Sequence, residues 1–190
     1  MRSLTALGLA VLRLLTDQPQ HPYELQQQLR EQGLDRVVKV THGALYNTVD
    51  TLAKAELIEP VGTSRDGRRP ERTVYSITAA GRDLARDRLR ELMATLVPEY
   101  PAYCAALAFM SLLTAEDAVD RLERRCVLLE GRLAAAQAEY DGSVGRHVPR
   151  VGLVEMLHLR AHLQADLDLT RALIEEIHSG RLELSAAARP

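Results

Sequence analysis

The spacing of apolar residues divides the start of the chain into short helices. A segment at about 3–16 is apolar almost all round, which predicts a helix that is buried on more than one side. Pro22 suits the first turn of a second helix, because the missing N–H is not needed there. Gly33 is typical of a helix end. The pattern therefore predicts two helices before residue 34.

The segment 42–58 is the most informative, because a thin apolar stripe runs along an otherwise polar helix. Thr41 is a suitable N-cap for this third helix. Leu45, Val49 and Leu52 follow the spacing i, i+4 and i+7, so we expect them to face the core. The opposite side of the helix is then left to meet a partner.

Two short strands are predicted next, at 59–63 and 72–77, the second being rich in β-branched and aromatic residues. The turn-rich segment 64–71 joins them. Four arginines fall within eight residues here: Arg65, Arg68, Arg69 and Arg72. A polar-faced helix followed by a basic hairpin is the order of a winged helix-turn-helix. Thr78 would then cap a further helix that reaches about residue 96.

The rest of the chain predicts a helical hairpin. Pro98 and Pro101 interrupt the pattern, and we place a domain boundary there. A short helix at about 102–113 precedes two long amphipathic helices, at about 114–140 and 151–179. The loop between the long helices would contain Gly142, Gly145 and Pro149.

The predicted fold is mainly α and has two domains. Residues 1–97 would form a winged helix-turn-helix DNA-binding domain with a two-stranded β wing. Residues 98–184 would form an α-helical dimerisation domain, since a lone hairpin cannot cover its apolar stripes and a second copy is the commonest partner. Residues 185–190 are predicted to be a disordered tail.

Charge is segregated between the two halves of the chain, although the net charge is only −2. Residues 1–90 hold 14 Lys and Arg against 11 Asp and Glu, a net +3. Residues 91–190 hold 10 against 15, a net −5. The first half can therefore face phosphates, while the second is a solvated acidic module.

Composition excludes several other classes. With no Trp and one Phe, aliphatic helix contacts are favoured over a β-sandwich. The two cysteines, Cys104 and Cys126, lie in apolar helical patterns, so buried free thiols are expected, with a redox switch as the alternative. No apolar run approaches the ~18 residues of a membrane span. The start lacks a signal-peptide cleavage pattern, and we expect a cytoplasmic protein.

The third helix and the basic hairpin supply side chains suited to DNA. Asparagine can pair with an adenine edge, and histidine can donate to a base or a phosphate. Lysine and tyrosine bind phosphate and fix register, and small residues allow close approach to a groove. Clustered arginines suit a phosphate track or a minor groove. The candidate DNA-binding residues are Tyr23, Lys39, His42, Gly43, Ala44, Tyr46, Asn47, Lys54, Arg65, Arg68, Arg69 and Arg72. A solvated polar face with a charged loop is the alternative.

A polar stripe on the last helix allows other chemistry. Glu155, His158, His162 and Asp166 follow the spacing i, i+3, i+7 and i+11 along one side. Two histidines at i, i+4 can chelate Zn²⁺, but no Glu follows the first one, so the metalloprotease pattern is absent. We therefore predict no metal site or cofactor. Glu155, His158 and His162 are instead candidate effector or interface residues, with a plain polar helix face as the remaining alternative.

Signatures of enzymes are otherwise missing from the sequence. It contains no Gly-rich phosphate loop, no nucleophile elbow and no paired-cysteine zinc motif. Its Asp and Glu residues are scattered over helix faces, where solvated surface charge is the usual explanation. The sequence therefore predicts a protein that is not an enzyme.

The stretch 1–85 resembles the PadR family of bacterial transcription regulators. The matching pieces are Leu4-Thr5-Ala6-Leu7-Gly8-Leu9, His21-Pro22-Tyr23-Glu24-Leu25, Gly43-Ala44-Leu45-Tyr46, Leu57-Ile58, Gly67-Arg68-Arg69-Pro70, Tyr75-Ser76-Ile77-Thr78 and Gly81. By length and helical pattern, the C-terminal hairpin resembles the dimerisation region of members similar to virulence activators. The resemblance implies a homodimer, a palindromic operator, and repression that a small molecule relieves near the dimer interface.

Together these observations predict a DNA-binding transcription regulator, a homodimeric repressor. Its expected partners are double-stranded DNA, a second copy of the chain and a small-molecule effector, with no membrane. The alternative is a helical protein–protein interaction module that uses a winged-helix scaffold without binding DNA. Salt-sensitive binding to duplex DNA distinguishes the two.

Overall fold

The computed structural model describes residues 4–64, 72–96 and 101–184. The chain divides into two compact units, Met1–Pro98 and Glu99–Pro190. The described residues are mainly helical with one two-stranded antiparallel sheet, which confirms the predicted fold class. Three of the four predicted wing arginines, Arg65, Arg68 and Arg69, lie outside the described residues, as do Pro98 and the tail 185–190.

Four helices and a hairpin make up the first unit. The helices are α1 (Ala6–Leu15), α2 (Pro22–Glu31), α3 (His42–Lys54) and α4 (Ala79–Ala94), and a 3-10 turn, Leu34–Arg36, follows α2. Three of the four helices begin in the same way, with a threonine hydroxyl that accepts the N–H three residues on. These N-caps are Thr5, Thr41 and Thr78. The caps predicted at Thr41 and Thr78 are confirmed.

The second helix begins with a reciprocal cap that the sequence analysis did not foresee. The N–H of Tyr23 donates to Nδ1 of His21 over 3.0 Å, and the N–H of His21 donates to Oε2 of Glu24 over 2.7 Å. Pro22 occupies the first helical position, as predicted. The backbone turns left-handed at Gly33 (φ 65°), just beyond the helix, which favours glycine there.

Strands β1 (Ile58–Ser64) and β2 (Arg72–Ile77) form the antiparallel hairpin. Their register runs from Ile58 opposite Ile77 to Ser64 opposite Arg72, with a bulge between Pro60 and Gly62. The predicted strands agree within a residue at each end. A third segment joins the sheet at one point, where the backbone of Gln20 pairs antiparallel with Tyr75.

The core of the first unit is aliphatic, and α1 lies at its centre. Leu12 and Leu14 of α1 are fully buried, as are Leu25 of α2 and Leu45 of α3. The α1 side chains Leu7, Val11 and Leu15 are buried too, so burial on more than one side is confirmed. This core holds α3 against the rest of the unit by one face only.

The described residues of the second unit form three helices: α5 (Ala102–Ala108), α6 (Ala115–Gly145) and α7 (Val154–His178). Short 3-10 turns at Met110–Leu112 and Arg150–Leu153 precede α6 and α7. The long helices α6 and α7 form an antiparallel pair whose core joins Cys126 and Leu129 to Leu163 and Leu167. No helix of the described residues is both long enough and apolar enough to cross a membrane.

Helix α6 continues five residues beyond the predicted end, so the prediction of a loop at Gly142 and Gly145 was wrong. Helical hydrogen bonding persists here: the N–H of Arg146 donates to the carbonyl of Gly142 over 3.1 Å. Glycine weakens a helix by about 1 kcal/mol relative to alanine, which does not by itself end one. The left-handed residue that follows the helix is His147 (φ 59°).

The two cysteines differ, and the prediction of burial fails for one of them. Cys104 is exposed on the seven-residue helix α5. Cys126 is buried in the core between α6 and α7, as predicted. Burial raises the pKa of the Cys126 thiol, since the charged thiolate is poorly solvated there.

Candidate nucleic-acid interface

The apolar stripe of α3 faces inward, as the sequence predicts. Leu45, Val49 and Leu52 are 0, 1 and 3 % exposed and belong to the core of the first unit. The stripe occupies one side of the helix, since these residues are three and four apart. The opposite side of α3 therefore faces solvent within this unit.

The outward face of α3 carries small and polar residues. At 100° per residue, Gly43, Asn47, Asp50 and Lys54 lie opposite the buried stripe, and all four are exposed. A Cβ added to Gly43 would meet nothing within 4 Å, so the backbone is open to close approach. Asn47 offers an amide and Lys54 an ammonium group as hydrogen-bond donors. Asp50 is the acidic residue among these four.

The first turn of α3 combines an aromatic stack with a positive helix end. The rings of His42 and Tyr46 lie 4.3 Å apart at an angle of 24°. The N–H of Ala44 donates to the hydroxyl of Thr41 over 3.2 Å. The helix dipole places partial positive charge at this end, which favours an anion such as a phosphate. The stack fixes the imidazole next to that charge.

Two further predicted DNA-binding residues lie outside α3. Tyr23 is the second residue of α2 and is 53 % exposed. Lys39 is exposed and precedes the N-cap of α3 by two residues. Both residues therefore lie at or just before the N-terminus of a helix, where phosphate contacts are typical.

The hairpin is joined directly to the C-terminal end of α3. The N–H of Leu57 donates to the carbonyl of Leu52 over 3.0 Å, and the N–H of Thr78 donates to the carbonyl of Leu57 over 3.1 Å. The backbone turns left-handed between them at Glu56 (φ 57°). The base of the hairpin is thus held by the two helices on either side of it.

Three of the predicted arginines belong to the segment 65–71 between the two strands, and the fourth, Arg72, begins β2. Ser64 and Arg72 are paired across the two strands, and residues 65–71 connect them. Arg72 is described only through its backbone, as the first residue of β2. The paired residues Ser64 and Arg72 therefore mark the two ends of the arginine-rich segment.

A close approach at Gly81, to which the sequence analysis gave no role, locks the hairpin to α4. The hydroxyl of Thr78 accepts the N–H of Gly81 over 3.1 Å and donates to the carbonyls of Glu56 and Leu57. A Cβ at position 81 would lie 2.1 Å from the carbonyl oxygen of Leu57. Only glycine fits this approach. The one hint of it in the sequence is that Gly81 lies three residues after the N-cap Thr78.

Comparison with known families identifies most of the first unit. Residues 11–87 match the family described as "Transcriptional regulator PadR-like family". This stretch contains α2, α3, both strands, and parts of α1 and α4.

The chain carries a PadR-like domain.

Solved structures support the same fold over nearly the whole chain. Bacillus subtilis PadR in complex with operator DNA is 17 % identical, with a TM-score of 0.78 over 91 % of this chain and 99 % of that chain. Bacillus subtilis PadR in complex with p-coumaric acid is 15 % identical, with a TM-score of 0.70 over 92 % and 99 %. A PadR-like transcriptional regulator from Bacillus cereus is 16 % identical, with a TM-score of 0.62 over 91 % and 99 %. Among curated proteins the sequence has no match.

A groove in the PadR-like domain runs beside the outward face of α3. It has a volume of about 620 Å³ and lies between α1, α3 and α4, with Asn47 and Thr51 on its α3 side. The hydroxyl of Thr51 donates to the carbonyl of Asn47 over 2.7 Å. On the α4 side, Arg88 donates to the carbonyl of Leu4 over 3.1 Å and pairs with Glu91. Asn47 therefore lies where the groove meets the outward face.

A second groove of the PadR-like domain lies between α1, the 3-10 turn and α4, and its lining is almost wholly apolar. Its volume is about 470 Å³, and Leu9, Val37 and Leu89 contribute to it. Arg82 also lines it. Each groove is large enough for a small organic molecule.

Only some of the polar side chains predicted to share one side of α7 contact one another in the structure. The rings of His158 and His162 are 4.3 Å apart, whereas Asp166 is held by an ion pair of 2.9 Å with Arg125 of α6. Glu155 lies one turn before His158 and is half-buried. Within residues 4–64, 72–96 and 101–184, no group of three or more His, Cys, Asp or Glu side chains is placed to hold a metal ion.

Proposed function

We propose that this chain is a DNA-binding transcription regulator that represses from a palindromic operator as a homodimer, in the cytoplasm beside the DNA. One observation carries the proposal: α3 buries a single stripe and presents its opposite face to solvent, directly joined to an arginine-rich hairpin. This is the arrangement that enters a major groove and follows the adjacent backbone. The similar fold of Bacillus subtilis PadR in complex with operator DNA supports it.

The proposed contacts divide into base readers and phosphate binders. Asn47 would pair with an adenine edge, because its amide offers a donor and an acceptor on the outward face. Gly43 and Ala44 would let the backbone approach the groove. The proposed phosphate binders are Tyr23, Lys39, His42, Tyr46 and Lys54, together with the hairpin arginines Arg65, Arg68, Arg69 and Arg72. Phosphate contacts would fix the position of the protein along the DNA, and so determine which base edge Asn47 contacts.

We propose that residues 1–97 form the DNA-binding domain and that residues 98–184 form the dimerisation domain. Apolar side chains remain exposed on the second unit; Val127 and Leu128 of α6 are 69 and 68 % exposed, and Leu169 of α7 is 47 % exposed. Covering such a face with a second copy is the commonest solution. A two-fold dimer would set the operator half-sites about one helical turn apart, ~34 Å, or a multiple of it.

We also propose that a small molecule releases the repressor from DNA. The complex of Bacillus subtilis PadR with p-coumaric acid is one support. The other is the pair of grooves beside α1, one of which includes Asn47. Glu155, His158 and His162 of α7 remain candidate effector or interface residues. A thermal-shift screen of small aromatic and cationic compounds would identify the effector as the compound that both raises Tm and lowers operator affinity.

The test of DNA binding is fluorescence anisotropy with labelled promoter DNA from upstream of the protein's own gene, over a series of salt concentrations. Wild-type binding should weaken steeply with salt. The variant Arg68→Ala with Arg69→Ala should reduce the salt slope by about 3.6, since each lost phosphate contact contributes about 0.9 and the proposed homodimer loses four of them. If the affinity and the salt slope were unchanged, the hairpin arginines would not contact phosphates.

A matched control removes the same charge from another part of the PadR-like domain. Arg86 and Arg90 are exposed on α4 and pair with Asp83 and Asp87. The variant Arg86→Ala with Arg90→Ala should therefore keep a slope close to that of the wild type. Equal losses in both variants would show a general charge effect. Absence of salt-sensitive binding to any duplex would favour the protein–protein interaction module instead.

A further inference from the structure

We infer that His158 and His162 form a chelating site for one divalent transition-metal ion on the surface of α7. The two residues are four apart on the same helix, which places both imidazoles on one side of it. A pair at this spacing is a recognised arrangement of zinc ligands. The inference goes beyond gene regulation, because the site needs neither DNA nor an effector.

The ring geometry supports a shared ion. The ring centroids are 4.3 Å apart, and the planes are tilted by 59° rather than stacked face to face. Zinc–nitrogen distances are about 2.0–2.1 Å, so two imidazole nitrogens that share one ion must lie within about 4 Å of each other, and ring centroids 4.3 Å apart allow this separation. Both side chains are exposed, so an ion has free access.

The surroundings leave the imidazoles available and favour a cation. Apart from each other, His158 and His162 have no hydrogen-bond or ion-pair partner among the described residues. Arg160 lies over the ring of Tyr140 of α6, 4.8 Å from its centroid, which holds this cation away from the pair. Glu155 adds negative charge one turn before His158. The site therefore has two imidazole nitrogen ligands next to a carboxylate.

The ligand set determines which ion binds. Imidazole nitrogen suits Cu²⁺, Ni²⁺ and Zn²⁺, and affinity should follow the order Cu²⁺ above Ni²⁺ and Zn²⁺. Asp166 is paired with Arg125, so the protein supplies two nitrogen ligands and water completes the coordination. Ca²⁺ and Mg²⁺ prefer oxygen ligands and should not compete.

The test is calorimetric titration of the untagged full chain with ZnCl₂, together with electron paramagnetic resonance of the Cu²⁺-loaded protein. We expect one ion per chain and a Cu²⁺ spectrum with coupling to two imidazole nitrogens. The variant His162→Ala should bind about 100-fold more weakly or worse, because the gain from joining two ligands is lost. Circular dichroism checks that α7 stays helical in the variant.

A second variant keeps both imidazoles on α7 but separates them. Combining His162→Ala with Ala165→His moves the second ring to i+7, about 10.5 Å along the helix from the first. This variant should bind as weakly as His162→Ala and lose the two-nitrogen spectrum. The site would be refuted if this double variant bound the metal as tightly as the wild type does. It would also be refuted if the wild type bound the metal no more tightly than His162→Ala does.

Discussion

Replacing Gly81 with alanine should loosen the junction between the hairpin and α4. The new Cβ would lie 2.1 Å from the carbonyl oxygen of Leu57 and 3.0 Å from Cγ1 of Ile77. The oxygen belongs to the backbone, so no side chain can rotate out of the way. The start of α4 and the carbonyl must separate by about 1 Å or more before ordinary contact distances return.

The loss of stability can be worked out from the hydrogen bonds that the carbonyl of Leu57 accepts. It accepts hydrogen bonds from the N–H and the hydroxyl of Thr78, over 3.1 and 3.0 Å. Weakening each bond costs about 0.5–1.5 kcal/mol, and overpacking adds about 1–3 kcal/mol. The better helix propensity of alanine returns up to about 1 kcal/mol. These terms sum to about 1–6 kcal/mol, and we expect Gly81→Ala to lower the free energy of unfolding by an amount in the lower half of that range, about 2–3 kcal/mol, because a shift of the backbone relieves part of the overlap.

Urea unfolding monitored by far-UV circular dichroism measures this difference, and thermal unfolding should show Tm lower by roughly 10–20 °C for a domain of this size. Gly43→Ala is the matched control, because a Cβ there meets nothing within 4 Å. The control should stay within about 1 kcal/mol of the wild type or be more stable. If Gly81→Ala unfolded within about 0.5 kcal/mol of the wild type, the close approach would not be a rigid part of the fold.

Two further predictions concern the cores. Leu45→Ala should lower the free energy of unfolding by about 2–5 kcal/mol, because the side chain is fully buried; urea titration measures this, and a loss below about 1 kcal/mol would contradict the inward stripe. The raised pKa of Cys126 means that the folded chain favours the protonated thiol, so its contribution to stability is complete below the ordinary pKa of 9.0 and is lost as the pH rises above it. Unfolding titrations at increasing alkaline pH should show a steeper fall for the wild type than for Cys126→Ala, and equal slopes would exclude the effect.

Features decided by neighbours along the chain could be predicted from the sequence. The N-caps Thr41 and Thr78 bond to an N–H only three residues away, and such local chemistry is visible in the residue order. The inward stripe of α3 was equally accessible, because helical spacing alone sorts its residues by face. This spacing also made the outward residues of the candidate interface, including Asn47, predictable.

Features decided by distant parts of the chain were missed. Gly81 has its role because the carbonyl of Leu57 passes close to it, and Gln20 joins the sheet because Tyr75 lies opposite. The position of Gly81 three residues after Thr78 does not reveal which carbonyl it meets, and nothing in the residue order marks the pairing of Gln20 with Tyr75. Cys104 shares its apolar surroundings in the sequence with buried residues, yet it is exposed, whereas its neighbour Tyr103 contacts Arg125 of α6 and Thr170 of α7. Periodicity reports which side of a helix is apolar, and only tertiary packing decides whether that side is covered.

The pairing of Gln20 with Tyr75 divides the hairpin into two mechanically different parts. At Tyr75 the strand is flanked on both sides, by Gln20 and by Pro60, whereas from Gly62 and Val74 to Ser64 and Arg72 the described residues pair each strand only with the other. Any bending should concentrate at the bulge next to Gly62, where the ladder is already interrupted. In the proposed complex with DNA, the outer hairpin would tilt at this bulge to follow a wider or narrower groove while α3 stays in place, so operators of unequal shape would be bound in the same register.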